Sequence, residues 1–215
     1  EYQLSGIIES FSSCTTPKQK LLRLFIDVMD SSSNTKIENK YNSIKKLTTC
    51  LTSLPDNSLL NFEEFLACLD DDYNKKKDGN ELEELWKQLQ EYKGFGPKVA
   101  ALFIRQLYLL QNAKSSQGKE NAIFDTAIPN PPFIAMDVVI QFFLSFFIDD
   151  VTTSKDNFFK LRSNLLDKKF THEEYLLLED LWYWGHFCHI ILPITLSKNE
   201  KEELRRDWEK LKKRI

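Results

Sequence analysis

Lys98 is the residue of this chain best suited to covalent chemistry. It follows two glycines that flank one apolar residue, in the run Gly94-Phe95-Gly96-Pro97-Lys98. Pro97 suits the first turn of a helix, where its missing N–H is no loss. Lys98 would then lie at the positive end of that helix, which destabilises an ammonium group. Such a conflict between charge and position indicates function, and we expect Lys98 to act as an amine nucleophile.

The same glycines predict a phosphate-binding turn between two helices. Gly94 and Gly96 let the backbone turn where side chains would obstruct it, and Phe95 can pack between the helices. The exposed amides of the turn and of the next helix N-terminus suit a phosphate. Contacts of this kind position a protein on DNA without reading its sequence. An ordinary αα-hairpin with a glycine turn is the alternative interpretation.

Asp137 is a single carboxylate in an apolar run, Phe133–Ile140. Burying it is costly unless it is hydrogen-bonded. It could cap the helix predicted over Val138–Ile148, since Asp is a preferred N-cap residue. It could also stabilise positive charge that develops during a reaction and orient an amine nucleophile. The two roles are compatible.

A late aromatic stretch, Glu179–His189, offers a binding site for a base. Asp180 and Trp184 are four residues apart, so they share one face of a helix. An indole can stack on a base rotated out of a duplex while a carboxylate accepts a hydrogen bond from its edge. An aromatic core helix explains the stretch equally well. His186 and His189 lack a third ligand at suitable spacing, so we expect no metal.

The elements that must position these residues are predicted to be helices. The chain has 16 Phe but only 6 Gly and 7 Pro, and this shortage of turn formers argues against a β sandwich or barrel. We therefore expect an all-α fold in one unit, 1–215, with a helix–hairpin–helix element at 81–111 and an inserted surface loop at 112–132. Apolar residues at helical spacing predict these helices: Gln19–Met29, Pro55–Leu69, Glu81–Tyr92, Pro97–Leu110, Phe133–Ile148, Phe158–Leu166, Glu173–Leu192 and Glu200–Ile215.

The composition narrows the class of protein. A net charge of −3 and a pI near 5.7 are unusual for a protein that coats DNA, but a lesion enzyme needs only a local electropositive groove. The four cysteines show no zinc or iron–sulfur spacing, so we expect them to be reduced and buried. We see no signal peptide and no apolar span of membrane length, which predicts a soluble intracellular protein.

The segment Gly94–Ala100 resembles the hairpin of the helix–hairpin–helix DNA glycosylase superfamily. It is most similar to the 8-oxoguanine DNA glycosylase/AP lyases, including the archaeal type. The resemblance implies a fold of two helical halves with a cleft between them. It also implies that Lys98 attacks the sugar C1′, that Asp137 is the catalytic aspartate, and that Gly94, Phe95, Gly96 and Pro97 bind the DNA backbone. The archaeal-type enzymes use a late helix for base contacts, which suggests Asp180 and Trp184.

The resemblance covers roughly Glu81–Ile148 and has two departures. Lys98 and Asp137 are 39 residues apart, a longer separation than in most of the family, and the excess lies in Gln111–Pro132. A longer surface loop costs little entropy. Val139 stands where the family usually has a histidine, so the contact made by that histidine is lost while the nucleophile and the aspartate remain.

The implied function is base-excision repair. We expect a bifunctional glycosylase/AP lyase that removes an oxidised purine, 8-oxoguanine above others, through a lysine Schiff base. Its partner would be double-stranded DNA with a damaged base, and we expect a monomer in the cytoplasm or nucleoid, or in the nucleus of a eukaryote, with no cofactor, metal or membrane. Two alternatives stay open: a non-catalytic helix–hairpin–helix DNA-binding module, and a helical protein–protein adaptor, which the acidic pI and the charged helix Glu200–Ile215 favour.

Overall fold

The computed structural model describes residues 2–32, 35–69, 81–113, 120–129 and 206. The chain divides into two units, Glu1–Ala135 and Met136–Ile215, and every helix delimited in the described ranges belongs to the first. These helices are α1 (Tyr2–Ser10), α2 (Pro17–Ser32), α3 (Ile37–Ser53), α4 (Phe62–Leu69), α5 (Glu81–Leu89) and α6 (Pro97–Gln111). Within those ranges the only β pairing is an isolated bridge between Leu60 and Phe124. The all-α class is confirmed for the described residues.

Helix α6 lies at the centre of the first unit. It packs against α1, α2 and α5, and ten of its fifteen residues are buried. Helix α2 contributes apolar side chains at helical spacing to the same core: Leu21, Leu24, Phe25, Val28 and Met29. The hairpin formed by α5 and α6 is therefore built on the best-packed helix of the described region.

The helix predicted over Pro55–Leu69 begins later, at Phe62. The backbone of Leu60 instead pairs with the 123–125 segment, since its N–H donates to the Ile123 carbonyl at 2.8 Å and its carbonyl accepts the Asp125 N–H at 2.9 Å. The Asn61 side chain then accepts the Glu64 N–H at 3.0 Å, which is the bond of an N-cap. Apolar spacing alone could not show this long-range pairing.

The connection predicted as a surface loop over 112–132 is partly buried. In its described segment, 120–129, Ile123, Phe124 and Ile128 are all buried, and the Phe124 ring contacts Phe62 and Phe65. The Gln111 amide donates to the carbonyls of Phe124 and Thr126 and accepts the N–H groups of Ile123 and Phe124. The expectation of a surface excursion is wrong for this segment, because these bonds satisfy the backbone there and let it enter the core.

The expectation of reduced cysteines is wrong for one pair. Cys50 of α3 and Cys68 of α4 form a disulfide with their Cα atoms 5.6 Å apart. The packing of α3 on α4 brings together two cysteines that are 18 residues apart in sequence. Cys14 is free, and Cys188 lies outside the described residues. In the described region no helix has the length and apolar character needed to cross a membrane.

Candidate nucleic-acid interface

Helices α5 and α6 form the predicted hairpin, joined by the loop Gln90–Gly96. Helix α5 ends three residues earlier than predicted, at Leu89, and the chain then turns through short-range bonds that include Tyr92 N–H to the Leu89 carbonyl at 3.1 Å. A second bond, from Phe95 N–H to the Tyr92 carbonyl at 2.9 Å, closes the next turn. Gly94 within that turn has a φ of 105°, which only glycine adopts readily.

Phe95 anchors the middle of the loop in the core. The residue is 2% exposed, and its ring stacks on Phe25 of α2, with Phe103 of α6 edge-on at 5.9 Å. Phe95 is thus buried, but its ring contacts are with α2 and α6, whereas the sequence predicted packing between the two helices of the hairpin. Because the whole residue is buried, Phe95 offers a ligand almost no accessible surface in this conformation.

Two side chains hold the backbone on either side of Gly94–Gly96. The buried Ser43 hydroxyl of α3 donates to the Lys93 carbonyl at 2.9 Å. The Trp86 indole N–H of α5 donates to the Pro97 carbonyl at 3.0 Å. The sequence patterns did not predict either contact. Ser43 shares a face of α3 with the buried Leu47 and Cys50, and a buried hydroxyl needs a hydrogen-bond acceptor such as a carbonyl.

Gly96 presents open backbone at the start of α6. It is the N-cap residue, with φ −75° and ψ 176°, a conformation that any residue can adopt. A Cβ atom placed on it would meet no atom within 4 Å. The fold therefore does not require glycine at this position, and the missing side chain leaves room for a group from outside.

Lys98 is the second residue of α6 and is half-buried. Pro97 occupies the first position, as predicted, and the first turn of the helix contains no acidic residue. Gly96 cannot supply a side-chain cap, so the amides at this helix start attract an anion. The structure thus places Lys98 in the first turn of a helix whose start has no side-chain cap.

A cation and an aromatic ring lie at the other end of the loop. The Lys46 ammonium of α3 is 4.6 Å from the centre of the Tyr92 ring. Tyr92 is buried, and its hydroxyl has no hydrogen-bond partner among the described residues. Burial raises the pKa of Tyr92 to about 12, because the phenolate would lose its solvation. The sequence patterns did not single out either residue.

The other predicted site residues, Asp137, Asp180 and Trp184, lie outside the described residues, as do His186 and His189. The described ranges contain no group of three or more His, Cys, Asp or Glu side chains that could hold a metal ion. The described part of the site consists of the hairpin, Lys98, and the α3 side chains that contact the loop.

Comparison with known proteins found no match to a family model, to a curated protein or to a solved structure. What the site can do must therefore be argued from the chemistry of its own residues.

Proposed function

We propose that this chain is a DNA glycosylase with AP lyase activity that removes an oxidised purine, with 8-oxoguanine as the first candidate. The proposal rests on the arrangement of two residues at the start of α6. An exposed glycine that the fold does not require is followed two residues later by a half-buried lysine. An open backbone suits a phosphate, and a primary amine beside it suits attack on the sugar of the same nucleotide chain.

The DNA backbone would be held by amides of the hairpin and of the α6 N-terminus. Gly96 lets a phosphate approach the main chain, while Phe95 and the Trp86–Pro97 hydrogen bond keep the loop rigid. Rigid donors need no rearrangement when the ligand binds. The damaged base would be rotated out of the duplex into a pocket, for which Asp180 and Trp184 remain the predicted contacts.

The chemical step would form and break bonds at the sugar C1′. The Lys98 Nζ lone pair forms the N–C1′ bond, and the glycosidic bond breaks with its electron pair leaving on the base. The amine loses a proton, the sugar ring opens, and a Schiff base results. Loss of a C2′ proton then expels the 3′ phosphate by β-elimination, which nicks the strand. Asp137 would stabilise the cationic states.

A borohydride trap tests the proposal, because a Schiff base between an amine and an opened sugar is reducible. Incubation with duplexes that each carry one lesion should give a covalent protein–DNA adduct on the preferred lesion. Lys98→Gln should abolish the adduct and the nick but still bind DNA, since the hairpin amides remain. Lys93→Gln is the matched control, because Lys93 is an exposed lysine of the adjoining loop and its loss should leave trapping intact.

The outcomes separate the proposal from its competitors. Trapping that persists in Lys98→Gln would move the chemistry to another amine. Excision that leaves the strand intact would indicate a monofunctional glycosylase. Salt-dependent duplex binding without excision of any lesion would favour a non-catalytic DNA-binding module, and absence of such binding would favour a protein–protein adaptor, since counterion release gives DNA binding a steep salt dependence.

A further inference from the structure

Helix α3 contacts the first half of the hairpin loop through two side chains. Ser43 donates to the Lys93 carbonyl, and Lys46 places its ammonium over the Tyr92 ring. Residues three apart are neighbours on one side of a helix. Two neighbouring side chains of α3 therefore contact two successive residues of the loop, Lys93 and Tyr92. The contact with Tyr92 fixes the position of the Lys46 ammonium relative to the loop.

The Lys46 charge is accessible and is not paired with a carboxylate of the described residues. Lys18, Lys40 and Lys87 each lie within ion-pair distance of a carboxylate. In the parts of the chain that the structure describes, Lys46 forms no ion pair, and the residue is exposed. An aromatic face beneath an ammonium restrains it without neutralising it. The Tyr92 ring keeps its neutral phenol because burial raises its pKa to about 12.

Lys46 is one short turn away from the start of α6. The hydrogen bond between Phe95 N–H and the Tyr92 carbonyl closes that turn, so Tyr92 lies at one end of it and Gly96 directly follows the other end. An ammonium at one end and helix-start amides at the other are both sites for anions. A nucleic-acid strand carries a phosphate at every nucleotide, so one strand can present phosphates to both sites.

We infer that Lys46 is a second anchor for DNA, which binds a backbone phosphate beside the one held at Gly96 and the start of α6. The inference deepens the proposed function and rests on it. Lysine binds phosphate as a point charge, so this contact strengthens binding to every duplex without selecting a sequence or a lesion. Two phosphates held at the ends of one rigid turn would fix the direction of the strand that enters the site.

The test is the salt dependence of binding to an undamaged duplex. Loss of one phosphate contact should reduce the slope of log K against log salt by about 0.9, which corresponds to about eightfold weaker binding near 0.1 M salt. Lys46→Gln should show this change equally on damaged and undamaged DNA. Lys46→Arg should retain the wild-type slope, since Arg keeps the charge and also lies well on an aromatic face.

Lys45→Gln is the matched control. Lys45 is the preceding residue of α3 and is also exposed, but it points about 100° away around the helix, so its loss should leave the slope unchanged. A wild-type slope in Lys46→Gln, or equal losses in Lys45→Gln and Lys46→Gln, would overturn the anchor. A normal Lys46 effect without borohydride trapping would overturn the glycosylase proposal and keep the anchor, whereas a wild-type protein without salt-dependent DNA binding would overturn both.

Discussion

Phe95 in the hairpin loop stacks on Phe25 of α2, with ring centroids 4.3 Å apart and ring planes 15° apart. Phe103 meets both rings edge-on, at 6.0 Å from Phe25 and 5.9 Å from Phe95. The residue between the two glycines of the loop is thus a core residue of the first unit. Packing therefore controls the shape of a loop whose backbone is accessible at Gly96.

Phe95→Ala should destabilise the protein by about 3 to 5 kcal/mol, because it removes a buried ring and leaves a cavity. The free energy of unfolding in urea measures the effect. A double-mutant cycle with Phe25→Ala should give a coupling of about 0.5 to 1.5 kcal/mol for the ring pair. A loss below 1 kcal/mol in Phe95→Ala would contradict the observed burial.

The two glycines should respond differently to substitution. Gly94→Ala should reduce the free energy of unfolding by about 1 to 2 kcal/mol, because a side chain at φ 105° is strained. Gly96→Leu should change it by less than about 1 kcal/mol, since its φ is ordinary and a Cβ meets open space. Yet Gly96→Leu should weaken duplex binding by about tenfold or more, roughly 1.4 kcal/mol.

The free energy of unfolding and the duplex affinity, both measured for Gly94→Ala and Gly96→Leu, distinguish a role in folding from a role in DNA binding. Normal duplex affinity in a folded Gly96→Leu protein would show that no phosphate approaches this backbone. Equal destabilisation in both variants would show instead that Gly96 serves the fold.

The turn of this hairpin could be predicted from the sequence, but the contacts that other elements make with it could not. Glycine, proline and apolar spacing predict the turn, the start of α6 at Pro97 and the inward position of Phe95, because these features depend on neighbouring residues. The hydrogen bond of Ser43 and the ring under Lys46 join residues about 50 positions apart in the chain. The disulfide and the buried Phe124 likewise depend on packing between elements, which periodicity does not encode.

Tyr92 should make the protein less stable at alkaline pH. Its pKa rises from 10.0 to about 12 on folding, so the folded state favours the neutral phenol. The stability that this contributes is fully present below pH 10 and is lost as the pH rises from 10 towards 12. The loss is about 2 to 3 kcal/mol, from two pKa units.

Tyr92→Phe isolates this effect, because other groups also titrate in the same range. The difference in unfolding free energy between wild type and Tyr92→Phe should be constant below pH 10 and should shift in favour of the variant above it. At neutral pH the variant should be more stable by about 1 kcal/mol, since the buried hydroxyl has no partner in the described region. A difference that does not vary between pH 9 and pH 12 would contradict the burial of the phenol.

The Cys50–Cys68 disulfide should stabilise the packing of α3 on α4. It closes an 18-residue separation, for which the chain-entropy model predicts about 3 kcal/mol. Reduction should lower the free energy of unfolding by about that amount in wild type and in Cys14→Ser, whose cysteine is free. Cys68→Ser should be insensitive to reductant. Because disulfides are rare in reducing compartments, alkylation of native protein in cell extract will show how far the bridge forms there.

Asp137→Asn tests whether the predicted aspartate takes part in the chemistry or only caps a helix. Asn is as good an N-cap residue as Asp, so the thermal unfolding temperature should stay close to that of wild type. Base excision in single turnover should fall about 100-fold or more, because the amide carries no charge to stabilise the cationic states. Asp56→Asn is the control: this exposed aspartate is paired with Lys18 and should excise at the wild-type rate. If Asp137→Asn keeps near-normal turnover, the residue is a cap, and another group must balance the charge that develops at C1′.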